Sequence, residues 1–160
     1  GGTVQRTPQV TTYFQPDICS DYIENMSLRI DYYYRVGSAT SLEQLNKIEK
    51  ELVDVFGPIP DKTKNLLLVA SLKVRCKSTP ISQINIQDSV LKVIIQPFDE
   101  EEQLVFLSRL GVYKHKTLES VRFKEVSGEL LGIFLNISGS GNAFDLLFDF
   151  VHLFDPIDTA

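Results

Sequence analysis

Apolar residues recur every three or four positions over residues 41–56, which predicts an amphipathic helix with one buried stripe. The stripe consists of Leu42, Leu45, Ile48, Leu52, Val53 and Phe56. Ser41 is the expected N-cap, and Gln44 three residues later completes a capping box. Gly57 followed by Pro58 is expected to end the helix, because glycine takes the left-handed cap and proline cannot continue the turn.

Charged residues occupy the opposite face of this helix at about 100° per residue: Glu43, Lys47, Lys50, Glu51 and Asp54. Lys47 can pair with Glu51, and Lys50 with Asp54, at a spacing worth a few tenths of a kcal/mol. Glu51 and Asp54 nevertheless lie in the last turns, where the helix dipole disfavours negative charge. A solvated, salt-bridged helix face is one explanation for them.

The pattern predicts further elements on both sides of this helix. A short strand is predicted over 9–14, and a first helix over about 25–37 with Met26, Ile30, Tyr33 or Tyr34, and Gly37 at helical spacing. Later elements are a helix over 61–76, a hairpin around 87–89, a helix over 99–110, a hairpin around 127–129 and a helix over 142–154.

This order predicts the α+β class: a helical N-terminal half followed by two β-hairpins, each followed by a helix, with a mainly antiparallel sheet. A length of 160 residues predicts a single domain over 1–160 with a proper core, residues 1–15 being a lead-in strand and linker.

Composition narrows the class of protein. The chain is 43% hydrophobic and 23% charged. It has no apolar run of membrane length, and its first residues do not have the pattern expected of a signal peptide. Cys19 and Cys76 lie far apart and form no zinc motif with the two histidines. These features predict a cytosolic protein without a membrane partner.

Charge argues against nucleic acid as a direct partner, because the net charge is −5 and such proteins normally have a basic face. A local basic stretch runs over 114–124, with Lys114, His115, Lys116, Arg122 and Lys124. A solvated strand and loop is one interpretation. The alternative is a nucleic-acid-binding accessory module that uses this stretch.

No constellation of residues indicates catalysis. The acidic run 99–102 lies at a predicted helix N-terminus, which favours negative charge. The segment SGSGN, 138–142, joins a strand to a helix but lacks the lysine and spacing of a phosphate-binding loop. We therefore expect no catalytic residue, metal site or cofactor in this chain.

One longer segment is more specific. A Tyr-Ile pair, an Arg-apolar-x-x-Tyr-x-Arg-apolar helix and a Ser-Ala turn are followed by E-L-x-D-x-F-G and x-x-P-D. They are formed by Tyr22, Ile23, Arg29, Ile30, Tyr33, Arg35, Val36, Ser38, Ala39, Glu51, Leu52, Asp54, Phe56, Gly57, Pro60 and Asp61. This segment resembles the start of the C-terminal domain of bacterial transcription-repair coupling factors, over residues 16–76. Val55 replaces the Arg usual in that family, so any contact made by that Arg is lost or replaced.

The resemblance implies a regulatory domain of a larger ATP-dependent DNA translocase, whose ATP and magnesium sites lie in upstream motor domains. It implies that the domain docks on a UvrB-like N-terminal module of the same protein and masks the surface for UvrA. RNA polymerase and UvrA would be indirect partners. Carried over from the family motif, the residues that face the docking surface are Glu51 and Asp54, opposite basic residues of the partner.

Overall fold

The computed structural model describes residues 7–139 and 142–157 and has the predicted α+β architecture. Within these residues, five strands and five α-helices follow one another. In chain order they are β1 (Gln9–Thr12), α1 (Met26–Gly37), α2 (Leu42–Phe56), α3 (Asp61–Arg75), β2 (Ile81–Ile86), β3 (Val90–Ile95), α4 (Glu100–Gly111), β4 (Leu118–Ser127), β5 (Leu130–Ile137) and α5 (Ala143–Phe150).

The described chain divides into two compact units. One is helical and comprises residues 14–74; the other contains the sheet and comprises residues 7–13 together with those from 75 onward. The single-domain organisation expected from the chain length stays a prediction.

The helical unit is built around the apolar sides of α1, α2 and α3. Its buried core includes Ile18, Ile23, Tyr32, Val36, Leu45, Ile48, Leu52, Ile59 and Leu67. Asn25 caps α1 by accepting a hydrogen bond from the Leu28 N–H, and Ser41 caps α2 by accepting one from the Gln44 N–H. The predicted bounds of these two helices are confirmed to within one residue, and Ser41 is the cap that the sequence predicted.

The buried face of α1 differs from the prediction. Met26, Ile30 and Tyr34 are 59%, 61% and 73% exposed, whereas Tyr32 and Val36 are buried. Tyr33, the predicted alternative to Tyr34, is half-buried against the core. Both sets have helical spacing, so periodicity alone could not choose between them. The choice is made by packing, because the Tyr32 ring meets the Phe56 ring of α2 edge-on at 5.8 Å.

The predicted stripe of α2 is mostly confirmed. Leu45, Ile48 and Leu52 are buried and Phe56 is half-buried, but Val53 is 46% exposed. Val53 follows Leu52 and lies about 100° further round the helix, which takes it off the buried side. Gly57, which follows α2, has φ +88° and ψ −164°, a conformation open essentially to glycine alone.

The second unit contains a five-stranded sheet in the order β1-β2-β3-β5-β4. Three of its four pairings are antiparallel, and β1 pairs in parallel with β2 at one edge. The strand at 9–12 was thus predicted, but its partner more than seventy residues away was not. At the other edge lies β4, whose ten residues pair only with β5 among the described strands.

One face of this sheet is apolar and buried. It includes Ile84, Ile86, Leu91, Val93, Ile133 and Leu135. The buried sides of α4 and α5 complete this core, with Phe106 stacked on Phe154 at 4.3 Å. The predicted helix over 142–154 is not continuous, since α5 is followed by a 3-10 turn over Val151–Phe154. Asp155 is extended before Pro156, as a residue that precedes proline prefers.

Candidate docking surface

The end of α2 is fixed by side chains from the preceding segment. The Tyr22 hydroxyl oxygen lies 3.1 Å from the Leu52 carbonyl oxygen and 2.9 Å from that of Gly57. Its ring packs against Phe56 at 5.8 Å. Because this one hydroxyl contacts both a late turn of α2 and the glycine that follows the helix, it fixes the end of α2, on which Glu51 and Asp54 lie.

Glu51 forms an ion pair with α1. Its Oε2 lies 2.5 Å from Nη1 of Arg35. The Arg35 guanidinium also lies over the Tyr32 ring, 5.0 Å from its centroid. Glu51, Arg35 and Tyr32 therefore form one network between the two helices.

This network keeps Glu51 ionised. The hydrogen bond from Arg35 is the main cause that lowers the pKa of Glu51 below its ordinary value, and a hydrogen bond from the Tyr32 hydroxyl lowers it further. The carboxylate is still 42% exposed, so solvent screens the pair and its contribution to stability is modest. The neighbouring guanidinium reduces the negative charge that Glu51 presents to a partner.

Asp54 has different surroundings. It is exposed, and within the described residues no side chain forms an ion pair with it. It lies three positions after Glu51 and so on the same side of α2. The two acids predicted as docking residues therefore share a face but differ in the charge that they offer.

The side-chain pairs expected along α2 are not those in the structure. Lys47 approaches Glu43 at 3.7 Å rather than Glu51. Over residues 7–139 and 142–157, no ion pair joins Lys50 to Asp54. The prediction for Lys47 is wrong because Arg35 binds Glu51 with charge-assisted geometry.

Sequence reasoning missed Arg35 and Tyr32 as partners of Glu51. Arg35 stands in the motif that resembles the coupling factors, sixteen positions before Glu51. Only residues 38–41 separate α1 from α2, so the end of the first helix is close to the second along the chain. The short connection and the presence of Arg35 near the end of α1 were the only signs in the sequence that Arg35 could reach Glu51.

Other residues of the motif hold the helical unit together. Arg29 donates to the carbonyl oxygens of Ile23 and Glu24 at 2.7 and 2.9 Å. The Tyr33 hydroxyl donates to the Asp17 carboxylate and accepts from the Ile18 N–H. The motif is therefore largely structural, and Asp54 is one of its few residues left facing solvent.

The basic stretch 114–124 is divided by the fold. Lys114 and Lys116 are exposed in the loop before β4, and His115 is half-buried with its Nε2 3.3 Å from a carboxylate oxygen of Asp145. Arg122 and Lys124 are exposed on β4 itself. The stretch is not one continuous basic surface.

The remaining sequence candidates have structural roles where they are described. Asp99 caps α4 by accepting a hydrogen bond from the Glu102 N–H. Asn142, the last residue of the SGSGN segment, caps α5. Residues 140–141 of that segment lie outside the described residues. In the described ranges, no three acidic, histidine or cysteine side chains are grouped so as to hold a metal ion. Nor is any described helix both long and apolar enough to cross a membrane.

Comparison with known proteins agrees with the resemblance in the motif. The family model described as the TRCF domain matches residues 14–104, more than half of the chain. Transcription-repair-coupling factor of Haemophilus influenzae is 34% identical over 65 residues, which are 41% of this chain and 6% of that protein. The Escherichia coli protein of the same name is 33% identical over 64 residues, 40% of this chain and 6% of that protein.

A solved structure extends the likeness to the whole fold. The crystal structure of the C-terminal domain of a transcription-repair coupling factor superposes with a TM-score of 0.72, covering 95% of this chain and 91% of that one. At 15% identity this likeness shows the fold alone. The matched part of the chain spans less than a tenth of the length of these curated relatives.

Proposed function

We propose a function from the premise that this chain belongs to the TRCF domain family, the C-terminal domain of transcription-repair coupling factors. It serves as a non-catalytic regulatory domain in a coupling factor that links DNA repair to transcription. It docks on the UvrB-like N-terminal module of that factor and masks the surface that UvrA requires. ATP and magnesium act in the motor domains of the parent protein, which is an ATP-dependent DNA translocase.

The observation that supports docking through α2 is the position of Asp54. Its side chain is exposed, and it lies at a helix end that the Tyr22 hydroxyl holds in place. A charge on a rigid element can bind a basic partner without losing much conformational freedom. Exposed pairs contribute about 0–1 kcal/mol, and pairs desolvated in an interface several times more. A few such contacts would give an inhibitory contact that can open during repair.

Asp54 is the principal docking charge in this proposal, and Glu51 shapes the surface. A basic residue of the partner would compete with Arg35 for Glu51, whereas Asp54 is free to pair. Replacing Glu51 with Lys would also place two cations together between α1 and α2. The informative substitution is therefore Asp54→Lys.

The test measures binding between the 160-residue chain and the purified UvrB-like module of the parent factor. We expect Asp54→Lys to weaken binding about tenfold or more at low salt, since attraction is replaced by repulsion. Glu49→Lys is the matched control, because Glu49 is exposed on the same helix but faces another direction. Excess wild-type chain should also inhibit UvrA binding to the module.

Two results would overturn the proposal. One is the absence of binding between the wild-type chain and the module at low salt. The other is equal weakening by Asp54→Lys and Glu49→Lys, because that would reflect net charge rather than a site. Matched thermal melts of both variants establish that each is folded.

A further inference from the structure

The face of the sheet opposite the apolar core contains a row of polar and basic side chains. Strand register places Asn85, Lys92, Phe134 and Arg122 next to one another across β2, β3, β5 and β4. Side chains alternate between the two faces of a sheet, so these four share the face opposite Leu91 and Leu135. We call this surface the open face.

Two cations converge on the aromatic ring at the centre of the row. Nζ of Lys92 lies 5.7 Å from the centroid of the Phe134 ring, and Cζ of Arg122 lies 5.4 Å from it. Cation–π contacts of this length hold the basic groups close to the sheet. Lys124 follows two residues after Arg122, so its exposed side chain lies on the same face.

Charge on these strands is separated by face. The paired strand positions of the open face include three cations, Lys92, Arg122 and Lys124, and no acid. Glu119 lies in the bulge between Leu118 and Ser120, outside this register. Glu125 points to the other face of β4 because it lies one position from Lys124. The chain therefore has a local basic surface despite its net charge of −5. Its cations lie far apart in the sequence, on β3 and β4, and the sheet brings them together.

We propose that the open face binds single-stranded nucleic acid. The face of a five-stranded sheet is wider than the helix or two-stranded ribbon that the major groove of a duplex admits, whereas an aromatic residue with flanking cations on a sheet suits an unpaired strand. Lys92, Arg122 and Lys124 neutralise phosphates. The exposed part of Phe134 and the guanidinium plane of Arg122 contact a base. This surface belongs to the sheet unit and uses none of the residues of the docking proposal.

The test is fluorescence anisotropy of the whole chain with a labelled oligothymidylate of about 16 nucleotides, over a range of salt. Contact with three phosphates predicts a slope of log K against log salt of about −2, since each contributes roughly −0.7 on a single strand. Arg122→Gln with Lys124→Gln should reduce the slope to about −0.7 and lower the affinity at least tenfold at low salt. Phe134→Leu should weaken binding without changing the slope.

The matched control is Lys114→Gln with Lys116→Gln, which removes the same charge from the loop before β4. We expect this variant to bind like the wild-type chain. Equal losses in the two double variants would overturn the proposal, as would the absence of wild-type binding at low salt. A duplex of the same length binding as tightly, or polyglutamate competing as well as the oligonucleotide, would identify a general anion-binding surface instead.

Discussion

Leu52 and Val53 are adjacent on α2 but occupy opposite environments, so truncation of each tests how the helix is packed. Leu52 is 1% exposed and belongs to the core of the helical unit, whereas Val53 is 46% exposed. We expect Leu52→Ala to be strongly destabilising and Val53→Ala to be nearly neutral. Because the two residues are neighbours in the same helix, differences in helix position do not affect the comparison.

The magnitudes follow from burial. Leu→Ala removes three carbons, worth about 2.4 kcal/mol at roughly 0.8 kcal/mol each, and the cavity left behind raises the cost to about 3–4 kcal/mol. Val→Ala removes two carbons that are only about half buried, a loss of roughly 0.8 kcal/mol. Alanine's better helix propensity returns about 0.5 kcal/mol, so the net change should stay within about half a kcal/mol.

Urea unfolding followed by far-ultraviolet circular dichroism measures both changes. With a slope of about 2 kcal/mol per molar urea, Leu52→Ala should lower the midpoint by about 1.5–2 M, and Val53→Ala by no more than about 0.3 M. A loss below about 1 kcal/mol for Leu52→Ala, or equal losses for both variants, would refute the assignment of the buried side of α2.

Two further substitutions test local features of the helical unit. Gly57→Ala should cost about 1–3 kcal/mol because φ is +88° at this position, although an added Cβ would meet no atom within 4 Å. Gly37 has an ordinary φ in α1, so Gly37→Ala should be neutral or stabilising by up to about 1 kcal/mol in the same urea experiment. Glu51→Gln should cost about 1 kcal/mol or less at pH 7. Because folding lowers the pKa of Glu51, this difference should be complete above the unfolded pKa of about 4.3 and disappear as pH falls through the folded value. A difference that grows on acidification would contradict the Arg35 pairing.

Local pattern was sufficient for the elements but not for their pairing. The helix stops at Gly37 and Phe56 and both hairpins could be predicted, because caps, turns and periodicity are properties of neighbouring residues. Three features depended on distant residues: the side of α1 that is buried, the parallel pairing of β1 with β2, and the partner of Glu51. Each is determined by contacts sixteen or more positions away in the chain, which no local pattern contains.

The candidate docking residues illustrate the same limit in electrostatic terms. The sequence placed Glu51 and Asp54 on one face of α2, and the fold gives them that common face. The sequence pattern could not predict that Arg35 pairs with Glu51, because Lys47 and Lys50 stand four positions before Glu51 and Asp54 and were the nearer candidate partners along the helix.

That difference between the two acids changes how docking should be investigated. Reversing both charges together would alter the α1–α2 ion pair and the solvent-facing charge at once, so a changed affinity could arise from a shifted helix. Asp54→Lys changes only a solvent-facing charge, and Glu51→Gln changes only the ion pair. If docking depends on a charge presented to a basic partner, the first variant should weaken it and the second should have a smaller effect. The opposite order would mean that the partner recognises the geometry of the helix pair rather than the charge on its surface.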